Sequence, residues 1–209
     1  MIHKLWPTNI WHEDASNIFG SRDFEELIEA GNSFEQQFPS AHVPAAMRNA
    51  YEHTYNLLSH ESYSVQKFKR FLGKRMVEFA KEEGFLETPK FEAMGTMRKF
   101  APGDQIKPHN HRSVDYIAVM WVQVDVTDTG EDTHQKVAGN RLQIIDPIAM
   151  RSRLLNHAML KELAPKPGTF VIHPAHLFHT AEVNIGSYDT IALVNNIRIV
   201  ETVREYVKL

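Results

Sequence analysis

Residues 107–124 read KPHNHRSVDYIAVMWVQV, a proline-flanked loop that runs into an apolar stretch. From Tyr116 onward, apolar, β-branched and aromatic residues predict a core strand. Further strands are predicted in three later segments, which read NRLQIIDP, GTFVIHP and TIALVNNIRIV. Because loops rather than regular helices separate these strands, the pattern predicts an antiparallel sandwich or barrel.

The sequence before residue 90 has a helical pattern instead. Ser21 is a candidate N-cap for a helix in SRDFEELIEAGNSF, where acidic residues in the first turns suit the helix dipole. A second helix is predicted in residues 62–85, where apolar side chains recur every three or four positions. That stripe comprises Val65, Phe68, Phe71, Leu72, Met76 and Phe79. We predict one compact domain: residues 1–90 form an N-terminal strand and helices, which pack on a β core formed by residues 91–209.

Composition excludes several classes of protein. The 209 residues are 43% hydrophobic and 23% charged, with a formal net charge of −3. Acidic and basic residues are interspersed, which argues against a nucleic-acid-binding face. No segment is long and apolar enough for a transmembrane helix, and the first residues lack a signal-peptide pattern. We therefore expect a cytoplasmic protein without a membrane partner.

Two histidines precede the core strand. Residues i and i+2 of an extended segment lie on the same face, so His109 and His111 can converge while Asn110 faces away. They are either ordinary polar residues of a loop or ligands of a metal ion. The chain has no cysteine, so any transition metal must be held by His, Asp or Glu, and a third ligand must come from elsewhere.

A second histidine-rich segment, PGTFVIHPAHLFHTAEV, spans residues 167–183. Pro174 biases the preceding residue toward an extended conformation, which argues against a helix carrying three histidines on one face. We predict instead that His173 ends a strand, His176 lies on a turn and His179 re-enters the sheet.

Together, these segments resemble the iron(II)/2-oxoglutarate-dependent oxygenases. The likeness is greatest to a prolyl-hydroxylase-like subgroup that is common in tailed phages and marine bacteria. Four segments carry it, in the order PHNHRSVDYIAVMWV (108–122), AGNRLQIIDP (138–147), PKPGTFVIHPAHLFH (165–179) and TIALVNN (190–196). The opening KLWPTNIWHED is similar to the N-terminal strand of that subgroup.

The resemblance implies a mainly β protein with N-terminal helices and a double-stranded β-helix core of the jelly-roll or cupin type. It also implies an Fe(II) site made of His109, His111 and His179. His111 falls where the wider superfamily has a carboxylate, and Asp115 is the alternative carboxylate ligand. The implied activity is hydroxylation of a substrate by O₂, with 2-oxoglutarate converted to succinate and CO₂.

The expected anchor for the distal carboxylate of 2-oxoglutarate is missing. The superfamily usually has Arg or Lys about ten residues after the last histidine, because a buried carboxylate needs a cationic partner. This chain has Asp189 and Thr190 there. Arg141, Arg198 and Lys107 are candidate replacements.

Two further positions are candidate cosubstrate-binding residues. Trp121 stands where the subgroup has a tyrosine, although a plain core role is the alternative. Asn195 matches the terminal asparagine of the subgroup.

Two other functions remain open. The missing cation is also consistent with a decayed oxygenase fold that serves as a structural or interaction protein, for instance in a virion. A three-histidine cupin-type dioxygenase that does not use 2-oxoglutarate would explain both the missing cation and the missing carboxylate. Residues 127–133 form an acidic loop that is either a lid or solvated surface.

Overall fold

A computed structural model describes residues 8–37, 56–85, 87–125, 141–145 and 160–201. It contains the α-helices α1 (Ser21–Gln37) and α2 (Tyr63–Glu82), and a 3-10 turn at Leu57–Ser59. Its strands are β1 (Trp11–Asp14), β2 (Lys90–Phe100), β3 (Ile106–His109), β4 (Tyr116–Gln123), β5 (Leu142–Ile145), β6 (Leu160–Leu163), β7 (Thr169–Pro174), β8 (Phe178–Ala181) and β9 (Thr190–Glu201).

The strands form two antiparallel sheets. The larger sheet has the order β1-β7-β4-β9-β2, and the smaller has the order β3-β8-β5-β6. Neighbouring β-strands along the chain therefore often belong to different sheets, as when β7 lies in the larger sheet and β8 in the smaller. This arrangement confirms the predicted mainly β, jelly-roll architecture with N-terminal helices.

The central strands of the larger sheet are buried on both faces. Its outer face packs against the helices, in a cluster that includes Phe170, Leu193 and the phenylalanines of α2. Its inner face, which we define as the face toward the smaller sheet, contributes Val119 and Val171 to a second apolar cluster. Strand β4 lies in the middle of this sheet, and seven of its eight residues are buried. That double burial explains its continuous apolar sequence.

The second helix confirms the predicted stripe. All six stripe residues are buried, and they pack in the cluster between the helices and the larger sheet. The stripe is therefore a packing surface.

The first helix begins one residue earlier than the predicted cap implies. Ser21 is its first helical residue, so the prediction that Ser21 is the N-cap is wrong. The preceding residue, Gly20, donates its backbone N–H to the Asp23 carboxylate at 3.0 Å. The Asp23 side chain thus reaches back to the start of the helix, as the N3 side chain of a capping box does.

The predicted acidic loop at residues 127–133 lies outside the described residues. Strand β6 was not predicted. Among the described helices, none combines the length and the apolarity needed to cross a bilayer.

Candidate metal centre

Three histidines converge on the inner face of the smaller sheet. The candidate ligand nitrogens of His109, His111 and His179 all lie within 4.8 Å of one another. His109 and His179 are direct cross-strand partners on β3 and β8. Their ring centroids are 4.4 Å apart, while the His111 centroid lies 5.1 Å from that of His109 and 5.3 Å from that of His179. We call these residues the histidine triad.

Backbone carbonyls orient two of the rings. The Nδ1 of His109 lies 2.9 Å from the Lys107 carbonyl oxygen, and the Nδ1 of His179 lies 3.2 Å from the Leu177 carbonyl oxygen. A carbonyl oxygen only accepts, so Nδ1–H donates and the Nε2 of each neutral ring keeps its lone pair. Metal-binding histidines are commonly held by such hydrogen bonds.

His111 is held by the turn between β7 and β8. Strand β3 ends at His109, so the expected extended geometry does not by itself place His111. The His111 backbone N–H donates to the Ala175 carbonyl at 2.9 Å. The Asn110 side chain donates to the His176 carbonyl at 3.3 Å. These bonds fix the 109–111 loop to the β7–β8 turn.

Burial keeps His179 neutral. Burial lowers the pKa of His179 from 6.5 to about 3. A neutral imidazole is the form that binds a metal ion, so no proton has to leave His179 near neutral pH.

Asp115, the alternative carboxylate ligand, lies elsewhere. It is exposed, and its carboxylate accepts the Ile199 N–H at 2.7 Å. Its backbone N–H donates to the Ile197 carbonyl at 2.8 Å. Asp115 therefore secures the end of β9 and is not among the groups that converge with the triad.

Arg141 lies on the outer face of the smaller sheet. The next residue, Leu142, belongs to the cluster between the sheets, so Arg141 faces the opposite way. Its guanidinium lies 3.8 Å from the carboxylates of Glu162 and of Glu182. The structure does not bring Arg141 together with the triad.

The other two cosubstrate candidates lie on opposite faces of the larger sheet. Asn195 pairs with Ala118 on the helix-facing side, and its Nδ2 donates to the Ala118 carbonyl at 3.1 Å. Trp121 is 4% exposed and packs in the cluster between the sheets. Asn195 is thus directed away from the triad, and Trp121 is part of the inner apolar lining.

The two positions where a cation was expected are occupied by Asp189, which is anionic, and Thr190, which is neutral. The Asp189 carbonyl accepts the Gln123 side-chain amide at 2.8 Å. Thr190 is 1% exposed and pairs with Phe100, which packs against the inner cluster. Position 190 therefore lies on the inner face with a hydroxyl where a cation was expected.

Two residues on the inner face of the larger sheet, the buried His173 and the exposed Arg98, were missed as functional candidates. His173 is fully buried, and its ring centroid lies 4.8 Å from that of His179. Arg98 lies on β2 directly opposite Ala192, an inner-face residue of β9. The sequence feature that could have identified His173 is its position in an otherwise apolar strand, because alternate residues of a strand face the same side of the sheet.

The buried histidines should make the metal-free protein acid-sensitive. Burial lowers the pKa of His173 from 6.5 to about 4, and that of His179 to about 3. Between pH 6.5 and pH 4 the unfolded chain binds protons that the folded chain excludes, so the free energy of unfolding falls as the pH falls. We expect a loss on the order of a few kcal/mol over this window.

Urea denaturation of the metal-free protein at several pH values checks this prediction. His173→Phe removes one of the two groups, so its pH dependence should be shallower than that of the wild type. Acid sensitivity of carboxylates is common to both proteins and cancels in the comparison. Equal slopes between pH 6.5 and pH 4 would contradict the assignment.

Comparisons with known proteins support the fold. A prolyl-4-hydroxylase from Pseudomonas putida superposes with a TM-score of 0.57 at 11% identity, over 93% of this chain and 89% of that one. A 2OG-Fe(II) oxygenase-family oxidoreductase from Burkholderia pseudomallei gives a TM-score of 0.45 at 12% identity, over 66% of this chain and 57% of that one. No protein-family profile matches the sequence, and no curated protein matches it. At this identity the first likeness shows a shared fold: the chain has the jelly-roll architecture of the prolyl-4-hydroxylase.

Proposed function

We propose that this protein is an iron(II)-dependent dioxygenase in which the histidine triad holds the metal. The observation that carries the proposal is the convergence of three imidazoles within 4.8 Å on the inner face of a jelly roll. Two of these rings have Nδ1 committed to a backbone carbonyl, which leaves Nε2 for the ion. The fold shared with a prolyl-4-hydroxylase supports the same reading.

The residues present fit such an ion. Metal–imidazole bonds of about 2.1 Å put ligand nitrogens roughly 3 to 4 Å apart, so small ring rotations close the triad on one centre. Three protein ligands leave positions open for O₂ and a second ligand, as in non-haem iron oxygenases. When bound, iron supplies the activation of O₂. The inner cluster, with Ile117, Val119 and Trp121 on one side and Ile144 on the other, keeps water from the space between the sheets.

For the cosubstrate we propose 2-oxoglutarate, in line with the motif resemblance. The balanced reaction converts a substrate C–H bond, O₂ and 2-oxoglutarate into the alcohol, succinate and CO₂. The distal carboxylate then needs a cation. Arg98 supports this part of the proposal, because it lies one strand away from the expected position and on the same face as Ala192 and Trp121.

Replacing Arg98 tests the cosubstrate. We expect Arg98→Met to raise the Kd for 2-oxoglutarate by at least about tenfold, since hydrogen bonds to charged groups contribute about 1.5–3 kcal/mol. Calorimetric titration of 2-oxoglutarate into the metal-loaded protein measures this. The matched control is Lys99→Met: Lys99 pairs with Ile191 on the helix-facing side, and its loss should leave the Kd unchanged. Equal affinities in wild type and Arg98→Met would mean that Arg98 does not bind the distal carboxylate of 2-oxoglutarate.

A second candidate is a three-histidine dioxygenase that does not use 2-oxoglutarate. It is favoured by the donor set, which contains no carboxylate, and by Thr190 on the inner face. O₂ and the substrate would then be the only reactants.

Anaerobic titration tests the proposal and separates the two candidates. One equivalent of iron(II) should bind, and 2-oxoglutarate should then produce a metal-to-ligand charge-transfer band. Iron binding without that band, together with O₂ consumption that needs no oxoacid, would favour the second candidate. A protein that binds no iron would be the decayed fold with a structural role.

A further inference from the structure

His173 is a fourth histidine of the interior, outside the triad. It is 0% exposed and lies on the inner face of β7, two residues from Val171 in the apolar cluster between the sheets. Its ring meets that of His179 edge-on, with centroids 4.8 Å apart and an interplanar angle of 62°. The triad and His173 therefore border the same space.

One nitrogen of His173 has no hydrogen-bond partner in the part of the chain that the structure describes. Its Nδ1 lies 2.9 Å from the Pro174 carbonyl oxygen, which only accepts, so Nδ1 carries the hydrogen. Its Nε2 is buried and has no hydrogen-bond partner among the described residues. In the neutral ring this nitrogen is an acceptor. The inner side of the site thus presents a fixed acceptor that lacks a donor.

Asn196 places a second polar group level with His173 across the larger sheet. Ile117 pairs with His173 on one side and with Asn196 on the other, so all three residues share the inner face. The Oδ1 of Asn196 is also buried without a partner among the described residues. Within the described ranges, the inner face near the triad is therefore short of hydrogen-bond donors.

The acceptors of His173 and Asn196, unpaired among the residues that the structure describes, lie in one row on the inner face, where they border the space next to the triad. Leaving a polar atom without a partner in the interior destabilises a fold, and an apolar side chain of similar volume would avoid the loss. The neighbours of His173 on β7 are apolar, so the strand accepts such residues. The histidine is explained if a bound molecule supplies the missing donor.

We propose that His173 is a specificity-determining residue that accepts a hydrogen bond from an O–H or N–H group of the molecule bound at the triad. The ligand class is a metal-chelating substrate that carries such a donor next to its chelating atoms, as the second candidate function would bind, because 2-oxoglutarate has no O–H or N–H group at neutral pH. This inference rests on the proposed function, because the ligand is placed there by a metal on the triad. His173 itself remains outside the group of converging metal-ligand nitrogens.

A pair of probes that differ by one N–H tests the proposal. Acetohydroxamate chelates through two oxygens and retains an N–H, whereas N-methylacetohydroxamate lacks it. In calorimetric titrations of the cobalt(II)-loaded full chain, we expect wild type to prefer acetohydroxamate by roughly five- to tenfold, the size of one added hydrogen bond. His173→Phe should bring the preference close to one. His173→Gln, which keeps an acceptor oxygen, should retain part of it.

Two controls separate this role from packing and from the metal site. Val171→Ala disturbs the same buried strand without removing an acceptor, so its probe preference should match that of wild type. His173→Phe should still bind one cobalt(II) ion and should raise the Tm of the metal-free protein by about 2–4 °C, because it removes the unpaired acceptor.

The outcomes are distinct. No probe preference in wild type, or an unchanged preference in His173→Phe, would overturn the proposal and leave His173 as a packing residue. Loss of cobalt(II) from a folded His173→Phe variant would overturn it in favour of direct ligation by His173. Failure of the wild type to bind cobalt(II) would count against the proposed function, and this inference would fall with it.

Discussion

His179→Ala should abolish metal binding while the protein remains folded. His179 is the most buried member of the triad and contacts both other rings. Changing a residue that only orients a ligand typically costs about 10- to 100-fold in metal affinity, so loss of a ligand itself should cost more than about 100-fold. Metal content after anaerobic loading with iron(II) and desalting measures the effect. We expect about one ion per chain in wild type and a small fraction of that in the variant.

His176→Ala is the matched control. His176 lies three residues before His179 on the β7–β8 turn, is exposed, and contributes only its backbone carbonyl to the bond with Asn110. Its replacement should leave the iron content at the wild-type level. Equal iron content in wild type and His179→Ala, or equal loss in both variants, would contradict the triad as the metal site.

Among the substitutions proposed, Phe68→Ala should cause the largest decrease in the free energy of unfolding. Phe68 is 0% exposed on α2 and packs edge-on against Phe19, with ring centroids 6.2 Å apart. Truncation of a buried phenylalanine costs about 3–5 kcal/mol, from lost burial and from the cavity that remains. Urea denaturation of wild type and variant gives the difference in the free energy of unfolding.

Tyr63→Ala supplies the comparison on the same helix. Tyr63 is 68% exposed, so its loss should change the free energy of unfolding by no more than about 0.5 kcal/mol. A Phe68→Ala effect as small as that of Tyr63→Ala would mean that α2 is not packed on the larger sheet as described.

Periodicity was enough to place the main elements. The six-residue stripe of α2 and the continuous apolar run of β4 both follow directly from the burial of one helix face and of both strand faces. The roles of His173, His176 and His179 around Pro174 were also predictable, because proline restricts the backbone before it. The structure places them at the end of β7, on the turn and on β8, as expected.

The face of the sheet that each side chain occupies was harder to predict from the sequence. Asn195 and Asn196 are adjacent, yet one faces the helices and the other the interior, and only the register with Ala118 and Ile117 decides between them. A slip of one residue exchanges the two faces. Arg98 was overlooked for a related reason: its position opposite Ala192 depends on pairing between strands almost a hundred residues apart in sequence.

The members of the histidine triad are positioned by different kinds of contact. His109 and His179 meet because β3 pairs with β8, whereas His111 is placed by a hydrogen bond to Ala175 in another loop. A motif with two histidines at i and i+2 indicates convergence, but the turn that completes it is distant in sequence. Strand β6, which is short and carries Lys161 and Glu162, has no strong periodic signal of its own.

X-ray absorption at the iron edge of the anaerobically loaded protein tests the central claim most directly. The account predicts one iron(II) ion per chain whose inner shell shows the multiple-scattering pattern of three imidazoles, and a loss of this signal in His179→Ala, which should retain little iron. An iron shell of oxygen ligands without imidazole scattering, or a spectrum that His179→Ala leaves unchanged, would contradict it.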